Sequence, residues 1–380
     1  MMKKSFLIFI TTILLTGFVS CNKKGVSTLE VSYLREGKLT KENISLDFIQ
    51  NGRIISDYID TVRFSLLDSL SFYDGEKYEV YSTPVTLDFT QKIEPYSPEY
   101  YTAYTLYHIL RAINYYNDLF DNKIDFNSQD DSYDNNYREI EITLGDAPYI
   151  TTPNTYILIP NSHPSPSLFY HEIGHRAFWY IQSEEGLNIK FNGLSLIHMG
   201  FLEYYTVSLN NSPLVGEDAL IGKMSRDADL LWRYPPADSL GLGRLIEILA
   251  ETYSEDLLNP NKNATKFYNS IKDVPAHITD NHRGGMILAS TLWRIRQQIG
   301  QADCDKLVTQ TILSLNEYMD MRDLFYASDK DEKVSTRVEW YDAFYGLVAK
   351  DKELFAGKAK DIIIQEFRKT GYPVERVTFN

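Results

Sequence analysis

Cysteine is nearly missing from this chain. Cys21 and Cys304 are the only two in 380 residues, so no disulfide framework can hold the fold together. Stability has to come from burial, and 43% hydrophobic residues with 28 Tyr and 19 Phe supply one large core or two. Long apolar runs are scarce too: beyond the first twenty residues, no stretch is apolar for the roughly 20 residues of a membrane-crossing helix. Positive charge is in deficit, with 38 Lys and Arg against 52 Asp and Glu and a net charge of −14, which disfavours nucleic acid and anionic lipid surfaces as partners. No internal repeat and no low-complexity tract is found.

The first twenty residues stand apart. Lys3 and Lys4 precede an apolar stretch from Phe6 to Val19, followed by Gly17-Phe18-Val19-Ser20-Cys21. This resembles a bacterial lipoprotein signal, which implies that residues 1–20 are removed and that Cys21 is acylated. The stretch is short for a span, whereas a multiply acylated cysteine anchors stably, so the protein is expected on a membrane rather than in it. A secreted protein cleaved nearby is the alternative. Acylation of Cys21 would leave Cys304 without a partner. The expected location is the cell envelope, periplasmic or at the cell surface, with the bacterial outer membrane as the anchor.

Residues 21–30 are polar and read as a tether. From residue 31 to 95 the chain alternates in short segments, among them Ile44–Ile49, Val62–Leu66 and Tyr78–Tyr81, broken by Asn51-Gly52 and Asp74-Gly75. This predicts a β-rich segment, either a small domain or a layer packed on the next domain. After Pro95 and Pro98 the period becomes helical, and Tyr101–Phe120 is expected to form an apolar, Tyr-rich helix. The next loop carries Asp125, Asp130, Asp131 and Asp134; it lacks the glycine of a calcium loop and reads as a solvated surface loop, with calcium as the alternative. Tyr137–Leu144 and Thr155–Pro160 alternate like strands, the second of them a candidate edge for an extended peptide to join.

Seven histidines are present, and two of them lie in His171-Glu172-Ile173-Gly174-His175. On a helix, positions i and i+4 share a face, so both imidazoles can reach one zinc ion while Glu172 leans toward its water. Ser165 is a suitable N-cap, Pro166 a suitable first helical residue and Gly186 a suitable stop. A catalytic zinc takes three protein ligands and keeps a fourth position open for water. The next helix is expected over Ser195–Leu209 and carries His198, Met199, Gly200 and Glu203.

From about residue 100 onward the chain resembles the thermolysin-like and fungalysin-like gluzincin metallopeptidases. The motifs that carry the likeness are Tyr107-His108-Ile109-Leu110 through Tyr116, His171-Glu172-Ile173-Gly174-His175, Gly200-Phe201-Leu202-Glu203-Tyr204, Asn281-His282-Arg283-Gly284-Gly285 with Leu292-Trp293-Arg294, and the closing segments around Gly346 and Ile364. The resemblance implies an α+β fold: a zincin catalytic domain over residues 96–380, strand-edged at first and mostly helical later, preceded by the β-rich segment. It implies one zinc ion on His171 and His175, Glu172 as general base, and His282 as donor to the oxyanion. Asp280 is a weak candidate to orient His282.

The pattern departs from the family where the ligand glutamate would stand, since this chain has Met199 there, a soft and weak zinc ligand. Glu203 stands one turn later on the same face, where the resemblance implies a group that orients a ligand histidine; it could also be the third ligand, or a merely packed or solvated glutamate. His198 lies about 100° around the helix from Met199 and reads as a core or rim residue. His108, His163 and His277 read as ordinary histidines. Two functions are therefore expected: a lipid-anchored zinc peptidase acting on peptides or proteins, or a binding protein of the envelope that keeps the fold without tight metal binding.

Overall fold

The computed structural model describes residues 28–35, 38–73, 77–126, 138–145, 151–152, 155–158, 164–183, 186–189, 196–215, 226–229, 281–318, 340–372 and 374. The fold mixes α and β, with strands concentrated before residue 160 and helices after it. Two strands, β1 (Thr28–Arg35) and β2 (Lys38–Ser45), form an antiparallel hairpin. The short pair β3 (Ile49–Gln50) and β4 (Arg53–Ile54) comes next. Its turn is Asn51-Gly52, both with positive φ, 52° and 74°, the conformation this dipeptide adopts most cheaply.

The main sheet has five strands: β5 (Thr61–Tyr73), β6 (Lys77–Val85), β7 (Glu139–Leu144), β8 (Thr151–Thr152) and β9 (Thr155–Leu158), in the order β6-β5-β7-β9-β8. The three central strands β5, β7 and β9 run parallel, with β6 and β8 antiparallel at the edges. A boundary at residue 95 does not separate two bodies, because β5 and β6 lie before it and β5 pairs directly with β7 beyond it. Of the two arrangements open to the β-rich segment, the strands from residue 61 onward form part of the sheet that underlies the helices. The expected edge strand β9 is covered by β8 only at Thr155 and Tyr156. Of the acidic loop, Asp125 is described, whereas Asp130, Asp131 and Asp134 lie outside the described residues, as does Cys21.

Helix α1 (Pro98–Leu119) starts where Ser97 accepts from the Tyr100 N–H and Pro98 fills the first position. The β1–β2 hairpin docks on it: the Ser32 N–H donates to the Tyr100 hydroxyl at 3.0 Å, and Tyr33 packs on Tyr104. The remaining long helices are α2 (Pro166–Gln182), α3 (Leu196–Asn210), α4 (Asn281–Ile299), α5 (Gln301–Leu313), α6 (Trp340–Phe355) and α7 (Lys360–Thr370). A two-stranded ribbon, β10 (Leu214–Val215) with β11 (Arg226–Asp227), lies just beyond α3 in the chain. Arg35 of the hairpin donates to the Asn210 and Asn211 carbonyls at the C-terminal end of α3.

Glycines set how closely the helices approach. A Cβ on Gly285 of α4 would lie 2.8 Å from Met199 Cβ and 2.9 Å from the Gly200 nitrogen, so α3 and α4 cross with backbone against backbone. A Cβ on Gly174 of α2 would meet the Tyr116 hydroxyl at 2.7 Å. The core is continuous across sheet and helices and is rich in tyrosine, with Tyr101, Tyr104, Tyr116, Tyr156, Tyr170, Tyr204 and Tyr205 essentially fully buried. Cys304 is a buried free thiol. Among the described residues no helix is long and apolar enough to cross a membrane.

Candidate metal centre

The motif helix forms as its sequence suggests. Ser165 Oγ accepts from the Ser167 N–H and Pro166 is the first helical residue; the helix ends at Gln182, with Ser183 as its C-cap. That is a turn before Gly186, because Ser183 takes an extended conformation and its N–H closes the last turn on the Trp179 and Tyr180 carbonyls. His171, Glu172 and His175 are all buried on this helix, at 4%, 8% and 8% exposure.

The two imidazoles meet through their Nε2 atoms at 3.1 Å, with ring planes at 90°. This is the separation of an N–H···N hydrogen bond. It is also close to the roughly 3.3 Å between two nitrogens on one tetrahedral zinc, each about 2.0–2.1 Å from the ion. The pair therefore fits one metal as a two-nitrogen chelate. The opposite nitrogen of His171, Nδ1, lies 3.4 Å from Glu203 Oε1. A carboxylate at Nδ1 favours the tautomer that carries its proton there, which leaves the Nε2 lone pair facing His175.

Helix α3 brings Glu203 in from the other side, fully buried. Its Oε1 also accepts from Arg226 Nη1 of β11, so the carboxylate is shared between an imidazole and a guanidinium. Glu203 Oε1 thus lies at Nδ1 of His171, the ring nitrogen opposite the one that meets His175. Met199 is fully buried one turn earlier, with its Cβ against the backbone of Gly285. Among the described residues no three His, Cys, Asp or Glu side chains gather as a complete metal donor set.

His198 is buried, bonded through Nδ1 to Gln182 at 3.1 Å and stacked on Phe178, as a core histidine would be. His282 lies in the first turn of α4, three residues before Gly285, whose backbone lies against Met199 and Gly200 of α3. The side chain of His282, and the whole of Asp280, His163 and His277, lie outside the described residues.

Two arginines near these groups carry no signal in the motif. Arg226 lies 23 residues beyond Glu203 and is brought back by the β10–β11 ribbon, a pairing too short to read from the sequence. Arg176 is one turn after Glu172 on α2, and its spacing alone could have drawn attention to it. No protein-family model matches the chain, and no curated protein matches it.

Proposed function

We propose that the chain is a zinc-dependent peptidase with a thermolysin-like zincin arrangement, held at the cell envelope by lipid on Cys21 and acting on peptide or protein substrates. The observation that carries this reading is the His171–His175 pair, with Nε2 atoms 3.1 Å apart and the buried Glu172 beside them on the same helix. His171 and His175 would hold the ion. When bound, zinc supplies a nucleophile at neutral pH by acidifying its water and polarises the scissile carbonyl. Glu172 takes the proton released as that nucleophile forms and later returns it to the leaving amine. Glu203, at His171 Nδ1, holds the imidazole in the ligating tautomer and is itself held by Arg226. His282 is the candidate donor to the tetrahedral oxyanion.

Purified protein is expected to contain close to one zinc per chain, lost in His171→Ala. It is expected to hydrolyse casein-derived peptides at a rate that Glu172→Gln lowers by about 10²-fold or more. A wild type without zinc, or equal rates for the two proteins, removes the reading. One observation favours a second function, a binding protein of the envelope on the same fold: Met199 stands buried where the resemblance calls for a ligand carboxylate. That function expects a wild type without zinc and a Met199→Glu protein that gains it.

A further inference from the structure

His108 lies fully buried where α1, α2 and the β1–β2 hairpin meet. Its Nδ1 is bonded to the Tyr170 hydroxyl of α2 at 2.8 Å, and the buried Nε2 has no hydrogen-bond partner among the described residues. The hairpin closes one wall of this box with Tyr33, whose ring centre lies 6.1 Å from that of the imidazole. Tyr104 and Tyr107 of α1 and Phe169 and Tyr170 of α2 form the other walls. A proton on Nε2 would put a cation with an unbonded N–H among these rings, away from water. The groups around the ring do not offset that charge. Burial holds the phenols of Tyr33, Tyr104, Tyr107 and Tyr170 above their ordinary range, so none supplies an anion. Arg111, with Cζ 5.8 Å from the centre of the Tyr170 ring, adds a second positive charge. Glu42 of β2 accepts from the Tyr33 and Tyr107 hydroxyls rather than from the imidazole. A charged His108 therefore needs a wall to move. The α1 and α2 walls are joined by the His108–Tyr170 bond and belong to the packed helices, whereas β1 and β2 form a separate two-stranded sheet, a unit that is marginal without its docking.

We propose that the β1–β2 hairpin is a proton-released strap: uptake of one proton by His108 is coupled to lifting of the hairpin from α1, which gives the imidazolium access to water and uncovers the helix face that carries Tyr100 and Tyr104. The device depends on neither metal nor peptidase activity. The hairpin also buries Leu29, Val31 and Ile44, so acid enlarges a minor lifted population rather than emptying the docked one. A proton taken up only in the lifted state raises the opening constant tenfold per pH unit below about 6.5, the ordinary imidazole value, and by about 30-fold between pH 7.5 and 5.0. Amide hydrogen exchange of the full chain over that range, expressed as protection relative to the intrinsic rate at each pH, reads the opening constant. Amides of β1 and β2 are expected to lose protection about 30-fold while staying less protected than those of α4 at every pH. In His108→Phe, which keeps a ring in the box and cannot titrate, the loss is expected to stay within about twofold. Hairpin protection that does not change with pH in the wild type overturns the proposal. An equal loss in His108→Phe overturns it too, since the proton would then go to another group such as Glu42, His171 or His175. Equal protection of hairpin and α4 would place the proton uptake in global unfolding and overturn the strap. Should His108→Phe fail to fold, His108→Gln also removes the titrating ring and decides in the same way.

Discussion

Two groups of buried histidine lie on neighbouring helices and differ in what surrounds them. His108 on α1 is boxed by Tyr33, Tyr104, Tyr107, Phe169 and Tyr170, with Nδ1 bonded to the Tyr170 hydroxyl at 2.8 Å and Nε2 buried with no hydrogen-bond partner among the described residues. His171 and His175 on α2 are nearly as buried, but they face each other, and His171 also faces the Glu203 carboxylate. Burial is common to both regions; they differ in that a carboxylate lies against the imidazole of His171, whereas Glu42 beside the aromatic box is bonded to Tyr33 and Tyr107. In the aromatic box the imidazole is driven to its neutral form, well below its usual range, by burial first and by Arg111 second. Beside Glu203 a proton on Nδ1 is favoured and Nε2 is left to bind. The two regions thus differ in the charged group behind the ring rather than in the depth at which the ring lies.

The comparison can be broken most severely at Glu203. Glu203→Ala leaves Arg226 beside the core without its carboxylate and is expected to cost about 3–5 kcal/mol in denaturant unfolding. A cost below about 1 kcal/mol would mean that the carboxylate is not what separates the two regions. His108 sharpens the other side. Its folded-state pKa lies below the unfolded value of about 6.5, so the unfolded chain binds the extra proton and stability falls as pH drops below that point. The slope approaches about 1.4 kcal/mol per pH unit within that window. His108→Phe should flatten this part of the stability profile, and an unchanged slope would assign acid sensitivity elsewhere. The smallest effect is expected where the hairpin meets the site helices: Arg35→Ala removes a cation from the C-terminal end of α3 and should cost about 0.3–1 kcal/mol. A larger loss would show that the hairpin supports the site more than the aromatic region it covers.

What the sequence made legible was local. The cap at Ser165 with Pro166, the Asn51-Gly52 turn and the shared face of His171 and His175 each depend on residues within a turn or two of one another. What it left hidden was long-range. Alternation in Val62–Leu66 predicts a strand but not which strand pairs with it, so β5 gave no sign of joining β7 across the expected boundary. Glu203 was legible as a carboxylate on the right face, yet its division between His171 and Arg226 depends on a two-residue ribbon. Met199 was legible as a substitution; its burial against Gly285 depends on a helix some eighty residues away.

The glycine contact between α3 and α4 has one more consequence. Where Gly285 meets Met199 and Gly200, peptide groups set how closely α4 approaches the helix bearing Glu203. A single methyl group at position 285 would lie 2.8 Å from Met199 Cβ and 2.9 Å from the Gly200 nitrogen, so one of the two helices would have to shift.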